Sequence, residues 1–160
     1  MRILGVDSSG MVASVALVED DLLVAEYSVN YKKTHSQTLL PMLDEIVKMT
    51  ELDLNTIDAI AVAAGPGSFT GLRIGAATVK GLGLALEKPV ISVPTCHGLA
   101  YNLWGSDKLI CPIMDARRSQ VYTGIYEFAK DGMQVLLDQS AMDIRALAEK
   151  LNAMGREVIF

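Results

Sequence analysis

The segment that decides the fold runs from Ile57 to Leu86 and reads IDAIAVAAGPGSFTGLRIGAATVKGLGLAL. Its first part, Ile57–Ala64, is almost entirely apolar, which is typical of a parallel strand buried on both faces. A glycine-rich loop at residues 65–71 follows and opens a helix, Leu72–Leu86. This succession of strand, loop and helix predicts an α/β fold.

Three strands joined by short turns precede this segment and form an antiparallel meander. They are predicted at Arg2–Asp7, Val12–Val18 and Leu22–Val29. A helix then begins between Ser36 and Leu40. Pro41 is expected in its first turn, because a proline further inside would kink the helix.

The rest of the chain again alternates strands and helices. Elements are predicted at Val90–Val93, Thr95–Trp104, Leu109–Asp115, Gln120–Phe128, Met133–Asp138 and Asp143–Asn152. Thr95 is expected to cap its helix. The strands from Leu109 onward weakly repeat the three-strand opening, which predicts two related lobes, residues 1–104 and residues 105–160. A last strand begins at Glu157 with no visible neighbour, so the second lobe is expected to be incomplete.

Charge and cysteine content exclude several classes of protein. The 160 residues include 19 acidic and 14 basic ones, a net charge of −5, which argues against unaided binding to a nucleic-acid backbone. Cys96 and Cys111 form no CxxC pair and are too few for a disulfide scaffold, so a reducing, cytoplasmic setting fits. The apolar run Ile3–Val6 ends at Asp7 and is too short for a signal peptide or a membrane span.

Two loops could hold an anion or a nucleotide. Asp7 ends a strand before two serines and a glycine, although the same residues are common in ordinary turns. The loop 65–71 leads into a helix N-terminus, where free N–H groups attract anions; the alternative is a tight turn that needs glycine. It lacks the Gly-Lys-Ser/Thr of a Walker A loop. The candidate residues are Asp7, Ser8, Ser9, Gly65, Gly67, Ser68, Thr70 and Gly71.

No catalytic set or metal site emerges from the remaining reactive residues. His35 and His97 lie far apart without a second ligand at helical spacing, so an HxxxH or HExxH site cannot form. Cys96 and His97 are adjacent and do not face each other on a helix. Asp115, followed by Arg117 and Arg118, is either a polar site or a salt-bridged strand end.

Both predicted helices of the first lobe have unusual surfaces. The first is apolar over about half of its circumference, more than one core contact requires. The second contains Gly75, Gly81 and Gly83, and each glycine costs about 1 kcal/mol relative to alanine. Close packing against a neighbouring element would compensate. Arg73 in the first turn opposes the helix dipole, so it either pairs with an acid or is solvated.

Four motifs occur in the order found in the TsaB (YeaZ) family and resemble its motifs. They are Asp7-Ser8-Ser9, His35-Ser36-Gln37-Thr38-Leu39-Leu40-Pro41, Gly65-Pro66-Gly67-Ser68-Phe69-Thr70-Gly71-Leu72-Arg73-Ile74-Gly75 and Asp115-Ala116-Arg117. The resemblance covers at least residues 1–128, and the string 65–75 is highly specific. It implies the actin-like ATPase fold, with two lobes of ribonuclease H-like topology. Chains of this family are normally longer, with the second lobe completed beyond residue 160, so the second lobe is expected to be incomplete here.

The resemblance implies a role in making threonylcarbamoyladenosine in tRNA. In such systems the paralogue TsaD carries a metal-binding HxxxH motif and performs the transfer, and the small ATPase TsaE joins the pair. This chain is therefore expected to be a non-catalytic cytoplasmic scaffold, with no metal or cofactor of its own, that meets tRNA only through the complex. A heterodimer junction is the expected place for ATP or ADP.

The resemblance also implies that the first two helices form a dimer face, as a homodimer alone or as a heterodimer with TsaD. The residues expected there are His35, Leu39, Met42, Leu43, Ile46, Arg73, Ile74, Ala77 and Lys80.

Two other functions are weighed against this one. A nucleotide-dependent phosphotransferase or ATPase of the actin-like superfamily would use Asp7 and the loop 65–71. It would also need a second phosphate loop and an adenosine loop, which the sequence does not reveal. A metallopeptidase is disfavoured because the sequence contains only two histidines.

Overall fold

A mixed five-stranded sheet forms the centre of the first of two units, Met1–Val93. The computed structural model describes residues 1–31 and 34–160. The strands are β1 (Arg2–Asp7), β2 (Ala13–Glu19), β3 (Leu22–Val29), β4 (Ala59–Ala63) and β5 (Val90–Val93). Their order across the sheet is β3-β2-β1-β4-β5; β1, β2 and β3 pair antiparallel, whereas β4 and β5 continue parallel to β1. The predicted meander and buried parallel strand are confirmed.

Two helices, α1 (His35–Met49) and α2 (Phe69–Leu86), pack on this sheet, and a short 3-10 helix at Leu54–Thr56 leads into β4. Alternate residues of β1 and β2 point into the core, because successive side chains of a strand face opposite sides. The core side chains from the strands and helices include Leu4, Val6, Val15, Leu17, Leu39, Met42, Leu43, Ile46, Ile60, Val62 and Val79. Within the described ranges, no helix is long and apolar enough to cross a membrane.

The second unit, Pro94–Phe160, is built on another mixed sheet. Its elements are α3 (Thr95–Tyr101), β6 (Leu109–Ile110), β7 (Ile113–Asp115), β8 (Gln120–Ala129), β9 (Gly132–Asp143), α4 (Ile144–Met154) and β10 (Val158–Ile159). The predicted single strand Leu109–Asp115 is interrupted between β6 and β7. Pro112 lies in this interruption and cannot donate a backbone hydrogen bond.

The two units repeat one topology. In the second unit, β8 pairs antiparallel with β6 and β7 on one side and with β9 on the other, and β10 runs parallel to β6. Taken as one interrupted strand, β6 and β7 correspond to β1, and β8, β9, α4 and β10 correspond to β2, β3, α1 and β4. The prediction of two related lobes is confirmed. The last strand does have a neighbour, contrary to expectation, because parallel pairing with the distant β6 leaves no local signal in the sequence.

The division between the units lies before α3, whereas the sequence predicts a boundary after residue 104. The reason is packing: Cys96 and Ala100 of α3 belong to one apolar cluster with Ile110 and Tyr126. Thr95 is also not the helix cap that was expected. Pro94 occupies the cap position and Thr95 is the first helical residue, with no capping hydrogen bond from a side chain.

Pro41 lies in the interior of α1, not in its first turn as predicted. The helix begins at His35, so Pro41 falls in the second turn, where it cannot donate a hydrogen bond to the Gln37 carbonyl. The helix continues through this position because side chains on both sides of it are anchored in the core. These are Leu39 before Pro41 and Met42, Leu43 and Ile46 after it. Packing against the sheet therefore outweighs the local preference of proline for a first turn.

The same four side chains were expected at a dimer face. Leu39, Met42, Leu43 and Ile46 are instead buried among the core residues of their own unit. The first helix is broadly apolar because it contacts β2, β3 and α2 together. A partner cannot reach these side chains without unfolding the unit, so the expectation that they contact a partner does not fit their placement.

Adjacent leucines of α1 provide a matched test of this packing. Leu39 is 1% exposed and Leu40 is 55% exposed. We expect Leu39→Ala to lower the free energy of unfolding by about 2–5 kcal/mol, because it leaves a cavity. Leu40→Ala should change it by less than about 0.5 kcal/mol. Urea denaturation measures both values, and equal losses would contradict the assignment of Leu39 to the core.

Candidate functional site at the N-terminus of α2

The turn after β1 is held by hydrogen bonds of its own residues. The Asp7 carboxylate accepts the Ser9 N–H at 2.7 Å, which closes the turn. Ser8 and Ser9 are both buried. The Ser8 hydroxyl donates to the Gly71 carbonyl at 2.9 Å. The three residues predicted at the end of β1 therefore lie directly against the start of α2.

The loop before α2 completes this contact from the other side. The Ser68 N–H donates to the Ser9 carbonyl at 2.6 Å. The Ser68 hydroxyl accepts the Gly71 N–H at 3.2 Å, which makes Ser68 the N-cap of α2. We call these bonds, together with the one between Ser8 and Gly71, the serine clasp.

Glycine is required in the clasp because two backbones approach each other closely. A Cβ atom at Gly71 would lie 2.0 Å from the Ser8 carbonyl oxygen, and one at Gly67 would lie 2.4 Å from the Ser9 carbonyl oxygen. Further along α2, a Cβ at Gly83 would lie 2.8 Å from a methyl carbon of Val90. The close packing predicted for the helix glycines is thus present at Gly75 and Gly83, against Ser8 and Val90 of the same unit, and absent at Gly81.

The serine clasp engages donors that the predicted anion site would need in order to bind a phosphate. The donors expected to face an anion include the Ser8 hydroxyl and the N–H groups of Ser68 and Gly71, and all three already donate to acceptors of the chain. By themselves these residues therefore do not form a phosphate cradle. An open cleft of about 470 Å³ adjoins the clasp, and its lining residues are Ser9, Gly10, Met11, Tyr31, Thr34, His35, Ser68, Thr70, Gly71 and Ile74.

His35 closes the cleft on the α1 side. Its Nε2 lies 2.9 Å from the Gly10 carbonyl oxygen. Because a carbonyl can only accept, Nε2 carries the proton and donates it. Ile74, another residue predicted at the dimer face, is half-buried and packs against the core of the unit. These two residues of the predicted dimer face therefore meet four predicted anion-site residues around one cleft.

One exposed face of α2 carries the rest of the predicted dimer face. We define the outer stripe of α2 as Phe69, Arg73, Ala77, Lys80 and Leu84, all of them exposed. The spacing of three to four residues keeps them on one side of the helix. The Arg73 guanidinium lies over the Phe69 ring, 4.4 Å from its centre. Phe69 and Leu84 are 72% and 83% exposed and were missed from sequence, although large apolar residues among polar ones are a signal.

The turn between β7 and β8 is the counterpart of the turn after β1. Asp115 ends the strand as Asp7 does, and its carboxylate accepts the Arg117 N–H at 2.7 Å. Each aspartate thus bonds the backbone two residues ahead. At the positions that Ser8 and Ser9 hold after Asp7, this turn has the half-buried Ala116 and the exposed Arg117. The sequence predicted either a polar site or a salt-bridged strand end here, and the Asp115 carboxylate instead bonds the backbone of its own turn.

The cysteines and the potential metal ligands of the chain are the remaining candidate groups. Among the residues that the structure describes, no group of three His, Cys, Asp or Glu side chains comes together as metal ligands would. Cys96 and Cys111 are free and buried. Burial raises the pKa of the Cys96 thiol to about 11, and it also raises the pKa of Cys111.

The repeated topology, with a ribonuclease H-like strand order in each unit, defines a protein of the actin-like fold class. A ROK hexokinase from Thermus thermophilus supports the fold alone: it has a TM-score of 0.52 and 17% identity, covering 85% of this chain and 48% of that chain. A family model described as "TsaD: tRNA N6-adenosine threonylcarbamoyltransferase" matches residues 23–156.

Closer relatives narrow the class to one family. The "tRNA threonylcarbamoyladenosine biosynthesis protein TsaB" of Bacillus subtilis is 39% identical over 100% of this chain and 70% of the relative. The TsaB of Escherichia coli is 37% identical over 83% of this chain and 58% of the relative. The solved structure of YeaZ from Pseudomonas aeruginosa has a TM-score of 0.78 and 31% identity, covering 89% of this chain and 67% of that chain. This chain belongs to the TsaB (YeaZ) family and spans 70% and 58% of the length of the two curated relatives.

Two glycines of α2 test the serine clasp. A Cβ at Gly71 would collide with the Ser8 backbone, whereas a Cβ at Gly81 has nothing within 4 Å. We expect Gly71→Ala to destabilise the protein by about 1–3 kcal/mol through overpacking. Gly81→Ala should stabilise it by about 0.8–1 kcal/mol, because alanine is the better helix former. Thermal unfolding separates the two, and a stabilising Gly71→Ala would show that the clasp is absent.

The buried thiols give a second test. With the Cys96 pKa raised from 9.0 to about 11, the native thiolate population at pH 8 is about 100-fold smaller than in the unfolded chain. Labelling with a disulfide reagent should therefore be slow until urea unfolds the second unit. Because the unfolded chain loses this proton first, the free energy of unfolding should fall as the pH rises from 9 towards 11. Fast native labelling would contradict the burial of Cys96.

Proposed function

We propose that this chain is a non-catalytic subunit of the machinery that makes threonylcarbamoyladenosine in tRNA, and that it supports a TsaD-type transferase by binding to it. The names of its relatives and the matching TsaD family model support the pathway. The observation that carries the non-catalytic role is the serine clasp. It commits three of the candidate phosphate donors, the Ser8 hydroxyl and the N–H groups of Ser68 and Gly71, to acceptors of the chain itself.

The outer stripe of α2 is the surface that we assign to the partner. Burying the exposed Phe69 and Leu84 side chains would contribute about 1.5–3 kcal/mol each. The small Ala77 and the exposed Gly81 allow a second helix to approach closely. Arg73 stays oriented by the Phe69 ring and is available to an acidic side chain of the partner.

The proposal also covers the other components of the complex: its protein subunits, the nucleotide and the tRNA. We assign the partner as the TsaD paralogue, with TsaE as a further component, and expect the chain to form a homodimer when alone. ATP or ADP would bind at the junction with the paralogue, where the partner contributes donors that the serine clasp does not leave free. The complex acts in the cytoplasm, and tRNA is contacted through the complex.

Reconstitution tests the function. Purified paralogue, TsaE and the enzyme that supplies the threonylcarbamoyl group are incubated with tRNA, with and without this chain, and the modified nucleoside is measured by mass spectrometry. We expect modification only when both the paralogue and this chain are present. Modification by this chain without the paralogue would refute a non-catalytic role, and full modification without this chain would refute the supporting role.

A pair of alanines tests the surface. Ala77 lies in the outer stripe, and Ala153 is an exposed alanine of α4 in the other unit. We expect Ala77→Arg to weaken binding to the paralogue at least tenfold, because an arginine side chain holds the two helices apart. The control Ala153→Arg should bind as the natural chain does. Calorimetric titration measures both, and equal affinities would exclude the outer stripe as the contact.

One observation favours a second candidate, a phosphotransferase or ATPase. Asp7 and Asp115 end corresponding strands in the two units with the same hydrogen bond. A carboxylate at the end of such a strand could position a hydrated metal ion beside a nucleotide. Calorimetry with ATP and Mg²⁺ on the isolated chain distinguishes the two functions: tight binding with turnover, lost in Asp7→Asn, would favour the enzyme.

A further inference from the structure

Three exposed arginines lie at one end of the sheet of the second unit. Arg117 and Arg118 are in the turn between β7 and β8, and Arg145 is the second residue of α4. The Ile144 N–H donates to the Ser119 carbonyl at 3.1 Å, which joins the start of α4 directly to this turn. The three positive charges are therefore carried by two backbone segments that contact each other.

These arginines differ from the others of the chain in having no acidic partner. Arg2 and Arg156 form ion pairs with glutamates, and Arg73 lies over an aromatic ring. The three arginines at the end of the second sheet form no ion pair with any acid in the described part of the chain. Their guanidinium groups are therefore available to an acceptor from outside the chain.

The two acids next to these arginines in the sequence are engaged by the backbone. The Asp115 carboxylate accepts the Arg117 N–H at 2.7 Å. The Asp143 carboxylate caps α4 and accepts the N–H groups of Arg145 and Ala146 at 2.8 and 3.3 Å. Each carboxylate thus bonds the main chain of an arginine and not its side chain. Because three arginines outnumber two carboxylates, this end keeps a positive charge on a chain that is acidic as a whole.

The turn that presents two of the arginines has a left-handed backbone. The φ angles are 64° at Arg117, 52° at Arg118 and 60° at Ser119. This conformation is unfavourable for residues other than glycine, asparagine and aspartate, so the turn itself does not favour arginine. Among the described residues, the N–H groups of Arg118 and Ser119 meet no acceptor. Successive N–H groups in such a turn can bind an anion.

We propose that Arg117, Arg118 and Arg145, which we call the arginine end, bind phosphate groups of an RNA backbone. A guanidinium donates two parallel hydrogen bonds to phosphate oxygens, and the free N–H groups of the turn add further donors. All three side chains are exposed and stand on two segments, which suits successive phosphates along a strand better than a single nucleotide.

This inference rests on the proposed function, which makes tRNA the RNA in question. The net charge of −5 disfavours RNA binding by the isolated chain. In the complex with the paralogue, the arginine end is the part of this chain that contacts the tRNA backbone. Phosphate contacts of this kind position an RNA and carry no sequence information.

Removal of the arginine charges tests the site. We expect Arg117→Gln/Arg118→Gln/Arg145→Gln to weaken tRNA binding by the complex with the paralogue at least about tenfold, measured by fluorescence anisotropy. Between about 50 and 200 mM KCl, the slope of log affinity against log salt should become shallower by about 2 to 3, because each lost phosphate contact releases about one ion fewer. An unchanged affinity and an unchanged slope would overturn the proposal.

A matched pair of single substitutions tests whether the position of the charge matters. Lys130 is an exposed residue of the turn at the opposite end of β8, so Lys130→Gln removes the same charge as Arg118→Gln from the same unit. We expect Arg118→Gln to make the salt slope shallower by about 1 and Lys130→Gln to leave it unchanged. Equal effects would indicate a general effect of net charge and would overturn a defined site.

Two further measurements separate RNA from other acceptors. Calorimetric titration of the triple variant with the paralogue should match that of the natural chain, and a loss there would assign the arginines to a protein contact instead. Binding of ATP with Mg²⁺ to the complex should also be unchanged, and a loss of ATP binding with intact tRNA binding would assign them to a nucleotide. Failure of the proposed function gives a different result, because the natural chain itself would then not bind the paralogue.

Discussion

The hydrogen bond from Ser68 to the Ser9 carbonyl joins the turn after β1 to the start of α2, and the rest of the candidate site depends on it. It brings two backbones so close that no side chain fits at Gly67 or Gly71. At the positive end of this long helix, which would ordinarily attract an anion, the N–H groups of Ser68 and Gly71 donate to neutral oxygens of the chain itself. The same contact fixes where α2 begins and hence which of its faces is exposed.

The repeated units show how one topology supports different local chemistry. Both units end their first strand in an aspartate that accepts a backbone N–H at 2.7 Å. In the first unit the following serines are buried against α2. In the second unit the aspartate is followed by the half-buried Ala116 and the exposed Arg117. The strand order is set by the sheet, whereas what each turn can bind is set by the element that packs on it.

The two helices of the first unit illustrate how core and surface share one element. The apolar residues of α1 that face the sheet are buried in the core. On α2, Gly71, Gly75 and Gly83 are buried, whereas the large side chains Phe69 and Leu84 are exposed. Large apolar side chains exposed on one face of a helix are consistent with a protein that works by binding a partner.

Much of the fold could be predicted from the sequence, because the information was local. The apolar run before Gly65 predicts a buried strand. The three closely spaced strands β1, β2 and β3 predict a meander, and the order of the motifs indicates the family. The interior position of Pro41 and the parallel pairing of β10 with β6 could not be predicted. Nor could the assignment of α3 to the second unit or the commitment of the site's serines to the clasp. Each depends on contacts between residues far apart in the chain. The energies of these contacts exceed local preferences, and the contacts leave no periodic pattern in the sequence.

The sequence by itself determined which segments are strands, helices and turns. Only the tertiary structure decided which apolar residues are core and which donors remain for a ligand, because burial and hydrogen bonding are settled when distant segments meet.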